Sequence, residues 1–148
     1  MINVSCYLSV LKRDQALYPT AHFVVVTRIA RHVLSPSFAL LKEAKALQKE
    51  PRDKLFLWYA KKLLIDEWHL DPEWHIAQSL KSGNPIKDAL IDLYNLMPIT
   101  DLFLVCYEKN PNICHRMLIK HLLEGKTPNQ ILTHILTQGR GNQCWEKF

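Results

Sequence analysis

Two short apolar runs constrain this chain more than anything else in it: Phe23-Val24-Val25-Val26 and Leu102-Phe103-Leu104-Val105. An unbroken run of this length, with no polar alternation, suits a strand covered on both faces. The segments between the two carry helical periodicity. Strands alternating with helices imply a small, mostly parallel sheet flanked by helices.

Residues 2–11 and 22–29 read as the first two strands, with Tyr18-Pro19 marking the turn before the second. Residues 27–33 read as a basic loop past the carboxyl end of that strand, carrying Arg28, Arg31 and His32. Ser35 is expected to cap a helix with Pro36 at its first position, running to about residue 49. Pro51 opens a second helix to about residue 69, and Asp71-Pro72 a third over residues 72–81. Ser82-Gly83-Asn84-Pro85 is the clearest break, leading into a helix with Leu90, Leu93, Tyr94 and Met97 that Pro98 stops. A strand over residues 101–106 precedes a helix from Asn112 or Ile113 to Leu123, with Gly125 as its terminator. Thr127-Pro128 opens the last helix. The expected organisation is one α/β domain over residues 1–137 and a flexible basic tail over 138–148.

At 148 residues the chain suits one well-buried domain rather than two. Its net charge of +5 favours an anionic partner, although a lysine-rich soluble surface gives the same number. No apolar run approaches the roughly 20 residues of a membrane span. The start of the chain lacks the pattern of a secretory signal, so a cytoplasmic location is expected. Cys6, Cys106, Cys114 and Cys144 lack the spacing of a stapled scaffold and read as free thiols.

The chemistry is concentrated in Val105-Cys106-Tyr107-Glu108, the turn Asn110-Pro111-Asn112, and Cys114-His115-Arg116. A strand end followed by a helix start is the usual place for a site in an open α/β sheet. Cys114 near a helix N-terminus is a candidate nucleophile, because unpaired N–H groups and a neighbouring guanidinium favour the thiolate. The competing reading is a small buried residue packing on the sheet. Cys106 is a second candidate sulfur, Glu108 a candidate acid/base, and His115 a base, a ligand-binding donor or a structural group. Arg116 suits a phosphate or carboxylate, or an ion pair with Glu108. Arg28 and Arg31 are further candidate anion holders.

No metal and no cofactor is expected. Structural zinc sites show tighter cysteine pairs than Cys106 and Cys114. Adjacent Cys and His on one helical turn also point about 100° apart. There is no cysteine followed by five residues and an arginine, and four glycines leave no phosphate loop. Trp58, Trp68 and Trp74 with Lys61 and Lys62 offer a base-stacking surface, or the core and solvated faces of helices.

The Cys106-Tyr107-Glu108 and Cys114-His115-Arg116 segments resemble the bacterial and phage family called domain of unknown function 488, which pairs Cys-x-Glu with Cys-His-Arg. Trp58-Tyr59, Leu70-Asp71-Pro72-Glu73 and Val26-Thr27-Arg28 are similar to that family as well, so the resemblance spans most of residues 1–124. Thr27 departs from it, since many members place a carboxylate before the arginine. The resemblance implies a small Rossmann-like domain with an active-site-like pocket. The expected function is a small enzyme, its reaction class open, that binds or processes a nucleotide or a nucleic-acid-related phosphate ligand. The alternative is a non-catalytic, phage-encoded interaction protein that binds a host macromolecule through a basic surface.

Overall fold

The computed structural model describes residues 2–27, 30–47, 52–107 and 114–137. Three parallel strands lie in the order β1-β3-β2, with β1 at Ile2–Asn3, β2 at His22–Val25 and β3 at Leu102–Val105. Ile2 pairs with Leu102, and His22 through Val25 pair in step with Leu102 through Val105. Six α-helices among the described residues surround the sheet. They are α1 (Leu11–Leu17), α2 (Phe38–Ala46), α3 (Arg52–Lys61), α4 (Pro85–Leu96), α5 (His115–Leu123) and α6 (Pro128–Thr137). The fold is a small Rossmann-like α/β arrangement.

β3 is the central strand, pairing with both others, and its residues are all buried. Leu102 and Leu104 face the larger core, with Val24, Leu118 and Leu122. Phe103 and Val105 face a second cluster with Cys6, Leu8 and Phe23. Alternate residues thus serve opposite layers, as a covered parallel strand requires. Phe103 stacks on Phe23 at 4.6 Å and meets Tyr18 at 5.0 Å, closing the second layer with aromatic contacts.

Several boundaries differ from the sequence reading. The first strand is two residues long, with one further pairing at Tyr7, and Leu8 onward turns helical into α1. The helix formers Lys12-Arg13-Asp14-Gln15-Ala16-Leu17 outweigh the apolar start of that run. The cap of α2 is Ser37 and not Ser35: Ser37 Oγ accepts the Leu40 N–H at 3.0 Å and Ser35 Oγ donates to the Thr27 carbonyl at 2.7 Å. α3 continues as a π-helical stretch, Lys62–Glu67, so the helix expected to about residue 69 is wider-wound in its second half.

The helix expected over residues 72–81 is a turn followed by one short 3₁₀ turn, Ile76–Gln78. Trp74 and Ile76 are both buried in the larger core. Two-residue spacing of buried side chains demands extended backbone, and burial overrides the cap signal at Asp71. The expected break at Ser82-Gly83-Asn84-Pro85 leads into α4, which Asn84 caps by accepting from the Ile86 and Lys87 N–H groups. α5 ends with Gly125 at φ 94°, where Gly125 N donates to Leu122 O and Lys126 N to His121 O. That pair of bonds is a Schellman terminus. No described helix is long and apolar enough to cross a membrane. The expected tail, residues 138–148, lies outside the described residues.

Candidate functional site

α5 is buried nearly all round, since eight of its nine residues are buried and it packs on α4 and α6. Its N-terminus therefore sits inside the molecule, at the carboxyl ends of the strands. Cys114 is the N-cap, with extended backbone at φ −121° and ψ 148°, and its side chain makes no capping bond. The helix begins at His115.

Three consecutive residues then address three different strands. Cys114 meets Cys106, just beyond central β3, where Leu8 N donates to the Cys106 carbonyl at 2.9 Å. His115 reaches the end of β2, its Nε2 lying 2.7 Å from the Val26 carbonyl oxygen. Arg116 reaches the end of β1, donating from Nη1 to the carbonyls of Val4 at 2.8 Å and Cys6 at 2.6 Å. Its Nε donates to Cys114 Sγ at 3.4 Å. The Cys-His-Arg segment is the point at which the sheet and α5 are tied together.

The carbonyl contact fixes the imidazole. Nε2 carries the proton given to Val26, and Nδ1 faces Cys114 Sγ at 3.6 Å and Cys106 Sγ at 4.0 Å. Exposures are 6% for Cys106, 2% for Cys114, 4% for His115 and 0% for Arg116, so the cluster is closed to bulk solvent. The Cys106 thiol bonded to Cys114 sulfur, followed by His115 and Arg116, holds the Cys114 thiol far below its ordinary range against the opposing effect of burial. Cys6 goes the other way: burial, then the Asp14 carboxylate, pushes its thiol up to about 12. Cys6 is a packing thiol.

The structure thus brings Cys106, Cys114, His115 and Arg116 together. Arg31 is exposed on the turn after β2 with φ 53°, a left-handed conformation uncommon for a side chain of its size. Arg28, Glu108 and Cys144 lie outside the described residues. Trp68 and Trp74 are buried in the larger core and Trp58 packs against it, the core alternative of the sequence reading. The expected divergence of Cys114 and His115 by about 100° applies within a helix. Cys114 precedes the helix, so sulfur and Nδ1 converge instead.

The acceptors that engage Arg116 and His115 escaped the sequence reading. They are main-chain carbonyls of Val4, Cys6 and Val26, and a carbonyl leaves no mark on residue type. Asp14, buried and paired with Arg13 at 3.0 Å, was also missed, because it lies beyond the expected strand over residues 2–11, in a stretch given no element. Comparison with models of protein families, with curated proteins and with solved structures finds no match to this chain.

Proposed function

We propose that the protein is a small cytoplasmic enzyme, or a ligand-binding relative of one, with Cys106, Cys114 and His115 as its chemical centre. Its ligand carries phosphate, as a nucleotide or a nucleic-acid end does. The observation that carries this reading is the convergence of two sulfurs and one imidazole nitrogen at the carboxyl edge of a parallel sheet. Ligands of open α/β sheets bind beyond that edge. The resemblance to the domain of unknown function 488 family implies a pocket at this place and no particular ligand, and the net charge of +5 favours an anionic one.

Roles follow from geometry. In the metal-free protein Cys114 sulfur is the reacting group, with a thiol, an imidazole and a guanidinium all directed at it. Arg116 acts as a strut whose charge lies beneath the sulfur, rather than as the clamp for the anion. Arg31, with Arg28, takes the phosphate, and Glu108 is the acid/base in this reading. The test is calorimetric titration with inorganic phosphate, nucleoside mono-, di- and triphosphates, and a 5′-phosphorylated oligonucleotide. At least one binds, weakens with Arg31→Ala, and slows alkylation of Cys114. Failure of every probe to bind the folded protein overturns the reading.

The closure of the cluster favours a second reading, a non-catalytic protein that binds a macromolecule through its basic surface. Under it, Cys114→Ala leaves the biological activity intact wherever the variant folds.

A further inference from the structure

We propose that Cys106, Cys114 and His115 form a three-residue binding site for a divalent ion of the zinc class. The two Sγ atoms and Nδ1 all lie within 4.8 Å of one another. A tetrahedral ion with metal–sulfur distances of about 2.3 Å and a metal–nitrogen distance of about 2.0 Å requires sulfur–nitrogen edges of about 3.6 Å. The two such edges measure 3.6 Å and 4.0 Å, and the sulfur–sulfur edge, about 3.8 Å in a tetrahedral site, lies within 4.8 Å, so an ion fits once the two sulfurs close by up to about 1 Å.

The surroundings are those of a metal site. A ligating histidine usually gives its other ring N–H to a carbonyl or carboxylate, which fixes the tautomer and orients the ring. His115 Nε2 does this with the Val26 carbonyl at 2.7 Å. Arg116 Nε donates to Cys114 Sγ at 3.4 Å, a bond that draws off charge from a metal-bound sulfur. The donors sit at a strand end and a helix start, both anchored in the core, so little ordering is left for binding to impose.

Charge balance points the same way. Two thiolates neutralise a divalent ion, so the charge left in the closed site is that of the buried Arg116 guanidinium. Any proton still carried by the two sulfurs leaves for solvent as the metal–sulfur bonds form, and no electron is transferred. Two sulfurs and an imidazole select zinc over magnesium or calcium, which take oxygen. The fourth position is left for water or for an oxygen of an anionic ligand. With an ion in place, Cys114 sulfur is a ligand and no longer a nucleophile, and the open position of the ion offers a phosphate oxygen a direct bond that the internally bonded Arg116 does not.

This inference goes beyond the ligand reading and does not rest on it, because metal uptake is measured with no phosphate ligand present. The full-length chain, free of affinity tags and stripped by chelator, is titrated with zinc and cobalt(II). The expected result is one ion per chain, with cobalt showing thiolate charge-transfer absorption and the visible bands of tetrahedral coordination. X-ray absorption of the zinc-loaded wild type shows two sulfurs and an imidazole nitrogen. Cys106→Ser and His115→Gln each lower affinity by at least the roughly 100-fold that loss of an outer partner costs. No ion retained, or an ion bound through fewer than two sulfurs, overturns the proposal. The wild-type absorption data decide it alone if a variant does not fold. Zinc uptake without any phosphate binding leaves the site standing and removes the ligand reading; phosphate binding without zinc uptake does the reverse.

Discussion

Replacing Arg116 by methionine separates a strut from an anion clamp. The side chain is fully buried, its Nη1 donates to the carbonyls of Val4 and Cys6, and its Nε donates to Cys114 Sγ. A hydrogen bond from a charged donor contributes about 1.5–3 kcal/mol, so the two carbonyl contacts together are worth roughly 3–6 kcal/mol. Methionine fills a similar volume and removes the cost of burying a guanidinium, which returns part of that sum. It also leaves two carbonyls in the interior without this donor. A net loss of about 3–4 kcal/mol is expected, a large share of the 5–15 kcal/mol typical of a domain. Arg116→Lys, which keeps the charge and loses the fork, should lose about half as much. Urea unfolding at neutral pH followed by circular dichroism reads both, with the midpoint moving and the slope constant. A loss below about 1 kcal/mol for methionine, together with abolished phosphate binding, would show that the guanidinium serves a ligand and refute the strut.

Burial, followed by Lys120, His134 and Lys126, lowers the pKa of His121 to about 3, and this outweighs the Glu124 carboxylate 3.5 Å from Nδ1. The unfolded chain takes up this proton near its ordinary value of 6.5 and the folded chain only near 3, so stability present above 6.5 is lost as pH falls through that window. His121→Leu should flatten the decline relative to wild type by about 1 kcal/mol per pH unit between pH 6 and 4, measured by urea midpoints; an unchanged slope would contradict the buried neutral imidazole. Thr127 and Gln130 form a reciprocal capping box at the start of α6, with bonds of 2.9 Å and 3.1 Å. Thr127→Ala should cost about 1 kcal/mol in the same assay. Phe103→Ala removes the ring held between Phe23 and Tyr18 and should cost about 3–5 kcal/mol; a smaller loss would mean that the second layer collapses around the cavity.

The fold class was legible because β2 and β3 are apolar on both faces, a pattern that only a covered sheet accommodates. Helix existence was legible where caps and turns agree, as at Asn84-Pro85 and Thr127-Pro128. It failed at residues 72–81, where a good cap at Asp71 meets the long-range burial of Trp74 and Ile76. It failed again at residues 8–11, whose apolar side chains serve the second layer from helical turns rather than from a strand. The candidate cluster was legible as residue types and not as geometry. Which groups meet depends on main-chain carbonyls and on the exact residue at which α5 begins, and neither is written in residue type.

That starting residue carries the functional argument. Local energetics at an N-cap favour Ser, Thr, Asp or Asn, whose side-chain oxygen bonds a free N–H, and replacing such a cap with a non-capping side chain costs about 1 kcal/mol. The chain places Cys114 there, extended and making no cap bond. Ser37 and Asn84 cap their helices with side-chain bonds, so this is no general habit of the fold. The sulfur that gives up capping is instead turned toward Cys106, His115 Nδ1 and Arg116 Nε. Had the helix begun at residue 112 or 113, Cys114 would lie within its first turn and its sulfur would diverge from the imidazole by about 100°. The stability forgone at this one position and the convergence of the cluster are the same structural fact. Cys114 is also packed to 2% exposure, so the broken cap rule fits both the proposed centre and the packing alternative, and the metal and phosphate titrations separate the two.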